Sequence, residues 1–226
     1  MVTTDEITMG ILRVLTLDDT VQVSEHGRLI EQHFPQIETV SRCIPNHPDG
    51  IPSAEAEAEA LPYIENLGRE MAEAVDVLGV SCALDPGVET LGEKVDIPVI
   101  GAGSSVAGAA LARGTRVGTL GIEGGTPPNM RSLLGDHYRA SETVEGAETT
   151  NFLTTEEGRS EIRTAVEALA RHDCEIVAPA CTGLTTSGVL PELRSELPVT
   201  VVDPVLAMAA NALIALFPVK PSQETS

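Results

Sequence analysis

The chain has 226 residues, 42% of them hydrophobic, with a net charge of −20 and a pI near 4.4. That acidity argues against nucleic acid or an anionic membrane surface as partner, and 2% aromatic content without tryptophan argues against recognition of bases or sugars by stacking. No run of about 20 apolar residues offers a membrane span, and Met1-Val2-Thr3-Thr4-Asp5-Glu6 lacks the features of a signal peptide, so a cytoplasmic protein with reduced cysteines is expected.

The length suits one large domain or two lobes of about 100 residues. The only lysines are Lys94 and Lys220, and this acid excess reads as halophile-like, where salt screens self-repulsion. In chain order, apolar runs near Ile7–Leu17, Ile37–Arg42, Val75–Ser81 and Ile97–Gly101 read as strands. Helical stretches near Val21–His33, Ala54–Ala74 and Gly87–Lys94 separate them. The Ala/Glu-rich run Ala54–Ala60 reads as a solvated helix start rather than a site. Gly101-Ala102-Gly103 lacks the third glycine of a dinucleotide loop, since Val106 stands three positions on, and Ser104 and Ser105 are expected to cap the helix that follows.

Further on, strands are expected near Arg116–Leu120, Ile176–Ala180 and Val199–Val202, and helices near Pro127–Leu134, Thr155–Arg171, Thr185–Glu196 and Pro204–Leu216. Thr154-Thr155-Glu156-Glu157 carries a threonine cap followed by acids at the positive helix end. Asp203, before Pro204, reads as another cap. The stretch Ala140–Thr150 gives no clear register, and the polar tail Pro218–Ser226 is expected to fray. Alternating strands and helices of this kind define an α/β chain with mostly parallel sheets.

One phrase occurs twice. Asp76-Val77-Leu78-Gly79-Val80-Ser81-Cys82-Ala83 and Glu175-Ile176-Val177-Ala178-Pro179-Ala180-Cys181-Thr182 each place a cysteine at the end of an apolar strand, 181 − 82 = 99 residues apart. A second matched strand follows each, Asp96-Ile97-Pro98-Val99-Ile100 and Glu196-Leu197-Pro198-Val199-Thr200. Two pseudo-symmetric flavodoxin-like lobes are therefore expected, residues 1–102 with 204–226 and residues 103–203, with the site between them at the carboxyl ends of the strands.

A thiol from each half suits a reaction that needs a proton donor on one face of a carbon and an acceptor on the other. The helix after each cysteine turns amides toward the sulfur and favours thiolate or a bound anion. With no lysine near either motif, amides and helix ends are left to hold a thiolate. Cys43 and Cys174 read as small buried hydrophobes. No CxxC, CxxH or HExxH spacing is present, so no metal site is expected. His26, His33, His47, His137 and His172 read as surface or helix-end residues away from the cysteines.

The loops Ser81-Cys82-Ala83-Leu84-Asp85-Pro86-Gly87 and Ala180-Cys181-Thr182-Gly183-Leu184, with Ile97-Pro98-Val99-Ile100-Gly101 and Val201-Val202-Asp203-Pro204-Val205, resemble the aspartate/glutamate/hydantoin racemase superfamily from Ile11 to about Leu216. Hydantoin racemases are the nearest branch. The resemblance implies cofactor-independent inversion at a carbon alpha to a carbonyl, with Cys82 and Cys181 as acid and base and a 5-substituted hydantoin as substrate. Thr16, Asp18, Asp85, Thr182 and Gly183 are its candidate substrate contacts, with Thr119 and Gly121 from the second lobe, and a homo-oligomer is expected.

Aspartate and glutamate racemases usually follow the first cysteine with Asn-Thr where this chain has Ala83-Leu84, so a free amino acid is the secondary expectation. A decarboxylase or cis–trans isomerase of the same superfamily, or a non-catalytic small-molecule binding protein, are the other readings.

Overall fold

The computed structural model describes residues 7–51, 53–122 and 125–216, so the expectation for the tail Pro218–Ser226 lies outside the described residues. The first sheet contains β1 (Ile7–Arg13), β2 (Ile37–Cys43), β3 (Val77–Ser81) and β4 (Val99–Gly101). The second contains β5 (Val117–Gly121), β6 (Tyr138–Thr143), β7 (Ile176–Pro179) and β8 (Thr200–Val201). Their orders are β2-β1-β3-β4 and β6-β5-β7-β8, and every pair is parallel. The internal duplication is thus a duplication of topology. In each lobe the chain reverses its winding direction beside the first strand, which opens a crevice at the strands' carboxyl ends.

The expected alternation of strand and helix holds, with shorter ends. Asp19 caps α1 (Thr20–His33) by accepting from the Val21 amide, and Ser53 caps α2 (Ala54–Ala72) at 3.2 Å from the Ala56 nitrogen. α3 (Val88–Gly92) follows the first cysteine loop, and α4 (Ala102–Leu111) leads into the second lobe, which adds α5 (Pro128–Leu134) and α6 (Glu156–Arg171). The expected threonine cap is Thr155, whose Oγ1 accepts from the Gly158 amide at 3.0 Å. The single helix expected over Thr185–Glu196 is instead two, α7 (Gly183–Thr186) and α8 (Leu190–Glu196). Gly188 lies between them at φ 74°, a left-handed conformation that stops a helix.

The last helix, α9 (Pro204–Leu216), packs Val205, Met208, Ala209 and Ala212 against Met9, Ile11 and Val77 of the first sheet. Asp203 caps it as expected, with Oδ1 accepting from the Val205 and Leu206 amides at 2.9 and 3.0 Å. The lobes are joined by core. Val106, Ala107 and Ala110 of α4 share an apolar cluster with Val117, Met130 and Ile176 of the second lobe and with Ala83 from the first cysteine loop. Burial of such side chains contributes about 1.5–3 kcal/mol for each of the larger ones, so the lobes are packed together on one side of the cleft.

Candidate active site

Both cysteine loops open into one cleft of ≈ 410 Å³. Val14, Ile51, Ser53, Glu57 and Cys82 come from the first lobe; Ile122, Thr126, Thr150, Cys181 and Thr182 come from the second. The size fits a small molecule. The start of α2, read from sequence as solvated, is a wall of this cleft through Ser53, Ala54 and Glu57. Its high helix propensity concealed that one turn of it faces the cysteines.

Cys82 directly follows β3, and its loop is clamped by the second half of the chain. Asp85 sits at φ 53° and turns its carboxylate to the start of α4, where Oδ1 accepts from the Gly103 amide and Oδ2 from the Ser104 amide, both at 2.7 Å. Asn129 Nδ2 of α5 donates to Asp85 Oδ2 and to the Ala83 carbonyl, each at 3.0 Å. The cap of α4 is therefore Asp85, whereas Ser104 and Ser105 lie inside the helix and donate their hydroxyls back to the Gly101 carbonyl at 3.3 and 2.6 Å. The paired glycines have a steric purpose. A Cβ at Gly101 would collide with the Asp85 carboxylate, and one at Gly103 with the Ala83 carbonyl.

Cys181 follows β7 and is held by the turn that begins α7. The Leu184 amide donates to the Cys181 carbonyl at 3.2 Å, and a Cβ on Gly183 would come within 3.4 Å of Cys181 Sγ. Amides act on both sulfurs as the sequence leads one to expect, that of Leu84 on Cys82 and those of Gly183 and Leu184 on Cys181. The two thiols are nonetheless unequal. Burial pushes Cys82 up to about 12, and Cys181, Asp85 and Glu57 add to the rise. Burial also raises Cys181, but two amides and the positive charge of Arg13 oppose it. Cys181 is the easier of the two to ionise.

Arg13 was not among the residues picked out from the sequence, and it corrects the view that amides and helix ends alone support a thiolate. It ends β1, pairs in register with Cys43 on one side and Ser81 on the other, and is 6% exposed. A charged residue inside Ile11-Leu12-Arg13-Val14-Leu15 was the available signal. His26 is the second correction. It is fully buried on the inner face of α1, with Nδ1 2.8 Å from Ser81 Oγ, beside the cysteine loop rather than away from it. Burial first, and then Arg13, hold its pKa well below the ordinary histidine value.

The expected substrate contacts divide. Thr182 and Gly183 stand at the cleft and its side pocket. Thr119 is buried in the middle of β5, where its hydroxyl meets that of Thr126, a cleft residue. Thr16 and Asp85 lie away from the lining: the Thr16 hydroxyl donates to the Ile44 carbonyl at 2.7 Å and accepts from the His47 amide at 2.8 Å. Asp18 is exposed, and Gly121 is buried with its carbonyl accepting from the Val144 amide, neither on the cleft wall. Among the described residues, no three His, Cys, Asp or Glu side chains are grouped as metal ligands, and no helix is long and apolar enough to cross a membrane.

Two duplicated parallel α/β lobes with a cysteine from each in the cleft between them define the class: a two-lobed racemase-type fold. Residues 23–212 match the Asp/Glu/hydantoin racemase family, and the chain belongs to it. No curated protein matches it by sequence. Among solved structures it is similar to an allantoin racemase from Klebsiella pneumoniae, with TM-score 0.75 and 20% identity over 92% of this chain and 86% of that one. An allantoin racemase from Pseudomonas fluorescens gives 0.73 and 19% over 92% and 90%. The maleate isomerase Iso from Pseudomonas putida S16 gives 0.68 and 14% over 93% and 92%.

Proposed function

We propose that the protein is a cofactor-independent racemase that inverts C5 of a 5-substituted hydantoin, with Cys181 and Cys82 as base and acid. The observation that carries this reading is that equivalent strands of the two lobes, β3 and β7, deliver one cysteine each into a single cleft. Likeness in fold to two allantoin racemases supports the substrate class, since allantoin is itself a hydantoin with a ureido group at C5.

In one direction the Cys181 thiolate removes the C5 proton, and the C–H electron pair moves onto the neighbouring carbonyl oxygen. The Cys82 thiol then gives its proton to the opposite face as that pair returns to C5. Cys181 ends as thiol and Cys82 as thiolate, which is the starting state for the reverse direction. The two thiols interact by charge and so titrate as a pair, of which only the singly ionised form is competent. Positioned proton transfer supplies a factor of about 10²–10⁴, and stabilisation of the developing oxyanion supplies about 3 kcal/mol per donor.

Single-enantiomer hydantoins incubated in D₂O at high salt test the reading by NMR and polarimetry. Loss of the C5 proton signal together with loss of optical rotation is the expected result. Retention of both signals across hydantoins, aspartate and glutamate would remove racemisation as the function.

A further inference from the structure

Beside the cysteine cleft lies a second pocket of ≈ 310 Å³, and the two share Leu15, Thr150 and Thr182 in their walls. Its remaining polar lining includes Arg13, Glu25, Asn151 and Arg159. The feature that stands out is Arg13. In a chain with 34 acids and 14 bases, this buried guanidinium makes no salt bridge among the described residues. Its Nη1 donates to the carbonyls of Gln22 and Val23 at 3.1 and 3.3 Å, and its Nε is buried with no hydrogen-bond partner among the described residues. A desolvated cation with an unused donor is costly to retain unless an anion meets it. Gly183, which also borders this pocket, keeps the wall beside Cys181 free of a side chain.

We propose that this pocket is a carboxylate subsite and that the substrate is a hydantoin whose C5 substituent ends in a carboxylate. The substituent passes the shared wall at Thr150 and Thr182 while the ring stays between the cysteines, and Arg13 takes the carboxylate at the far end. Glu25 on the same wall acts on the Arg13 guanidinium by charge, and Arg159 adds a second cation to the lining that favours an anionic substituent. The inference deepens the racemase reading and rests on it for the ring, but the anion preference is measurable without turnover.

The test compares 5-carboxymethylhydantoin with its carboxamide, isosteric and neutral, by calorimetry at fixed ionic strength. Wild-type protein is expected to bind the acid at least about 10-fold more tightly, as one charge-assisted hydrogen bond requires. Arg13→Gln is expected to close that gap and Arg13→Lys to keep part of it, with thermal unfolding showing that each variant is folded. The wild-type comparison needs no variant, so a folding defect does not protect the idea: equal binding of acid and amide overturns it. Acetate, succinate and glutarate complete the set. If one of these binds in an Arg13-dependent way while no hydantoin binds or exchanges, the subsite stands and the hydantoin reading fails. If they bind but do not compete with the carboxymethyl ligand, Arg13 serves a separate anion and the substrate proposal is overturned. If no carboxylate binds in an Arg13-dependent way, the subsite itself is overturned.

Discussion

Thr182 Oγ1 donates a hydrogen bond to the carbonyl oxygen of Ser81 at 3.2 Å, across 101 residues of sequence. Each partner is the immediate neighbour of a cysteine, so this bond ties the Cys82 loop directly to the Cys181 loop. On the proposed mechanism, a tie between two loops from different lobes holds the sulfurs at a fixed separation about the reacting carbon. Thr182→Val removes the bond while keeping the shape. We expect stability to fall by only about 1 kcal/mol, while kcat falls by about 10-fold or more because small misplacements are amplified in rate. Thr182→Ser should recover most of kcat. A larger loss in the serine variant than in the valine variant would show that the methyl group's packing matters and the bond does not.

The two cysteines should differ when mutated singly. On the proposed mechanism, Cys82→Ser and Cys181→Ser each remove one of two proton-transfer groups, so racemisation in either direction should drop by about 10²–10⁴-fold. Proton exchange without inversion should survive for one enantiomer in each variant, and for opposite enantiomers in the two. NMR in D₂O with separated enantiomers reads this directly. Loss of the same enantiomer's exchange in both variants would contradict proton transfer from opposite faces.

The pH profile follows from the unequal thiols. On the proposed mechanism the competent state needs one thiolate, and both thiols lie above the ordinary value of 9.0 because burial disfavours their charged forms. Raising the pH through the Cys181 ionisation creates the base, and ionising Cys82 near about 12 destroys the acid. Between pH 7 and 9, kcat/KM should therefore rise by close to 10-fold per pH unit, the slope of a single deprotonation in the free enzyme. A profile flat over that range would mean that thiol ionisation does not limit the rate.

The architecture was legible in the sequence because its signals are local and repeated. Val77–Ser81 is buried at every position, and Ile176–Pro179 likewise, so both read as continuous apolar runs. The register of β6 was not legible, because Tyr138–Thr143 alternates half-buried and exposed residues at a sheet edge. The site was only half visible. The cysteines announced themselves by symmetry, but Arg13 meets its neighbours through strand register and His26 reaches Ser81 from helix α1, and neither contact is written in the local sequence. Asp85 shows the same limit: its position beside Cys82 gave no sign that its left-handed backbone turns the carboxylate onto α4.

That placement makes Asp85 a stability residue with a measurable effect on rate. Asp85→Ala leaves the Gly103 and Ser104 amides without their acceptor at the positive end of α4 and releases Asn129. Loss of such a cap costs about 0.5–2 kcal/mol, which denaturant unfolding resolves. Gly103→Ala should perturb the same joint from the other side, since its Cβ meets the rigid Ala83 carbonyl and the loop carrying Cys82 must move. Both variants should lose activity along with stability. A Gly103→Ala protein with full stability and activity would contradict the clamp.

His26 gives the molecule an acid limit of its own. Its Nδ1 is engaged by Ser81 Oγ, its Nε2 is buried with no hydrogen-bond partner among the described residues, and both burial and Arg13 oppose a second proton. The folded pKa is depressed, so the stabilising difference is present above the unfolded value of about 6.5 and is lost as pH falls below it. In that window the unfolded chain binds a proton that the folded chain refuses. The slope for one such group is at most about 1.4 kcal/mol per pH unit. Chemical unfolding at pH 7, 6 and 5 should show stability declining, and His26→Gln should flatten the decline while lowering stability at pH 7 through the altered contact with Ser81. An undiminished pH slope in His26→Gln would assign the acid sensitivity to the carboxylates instead.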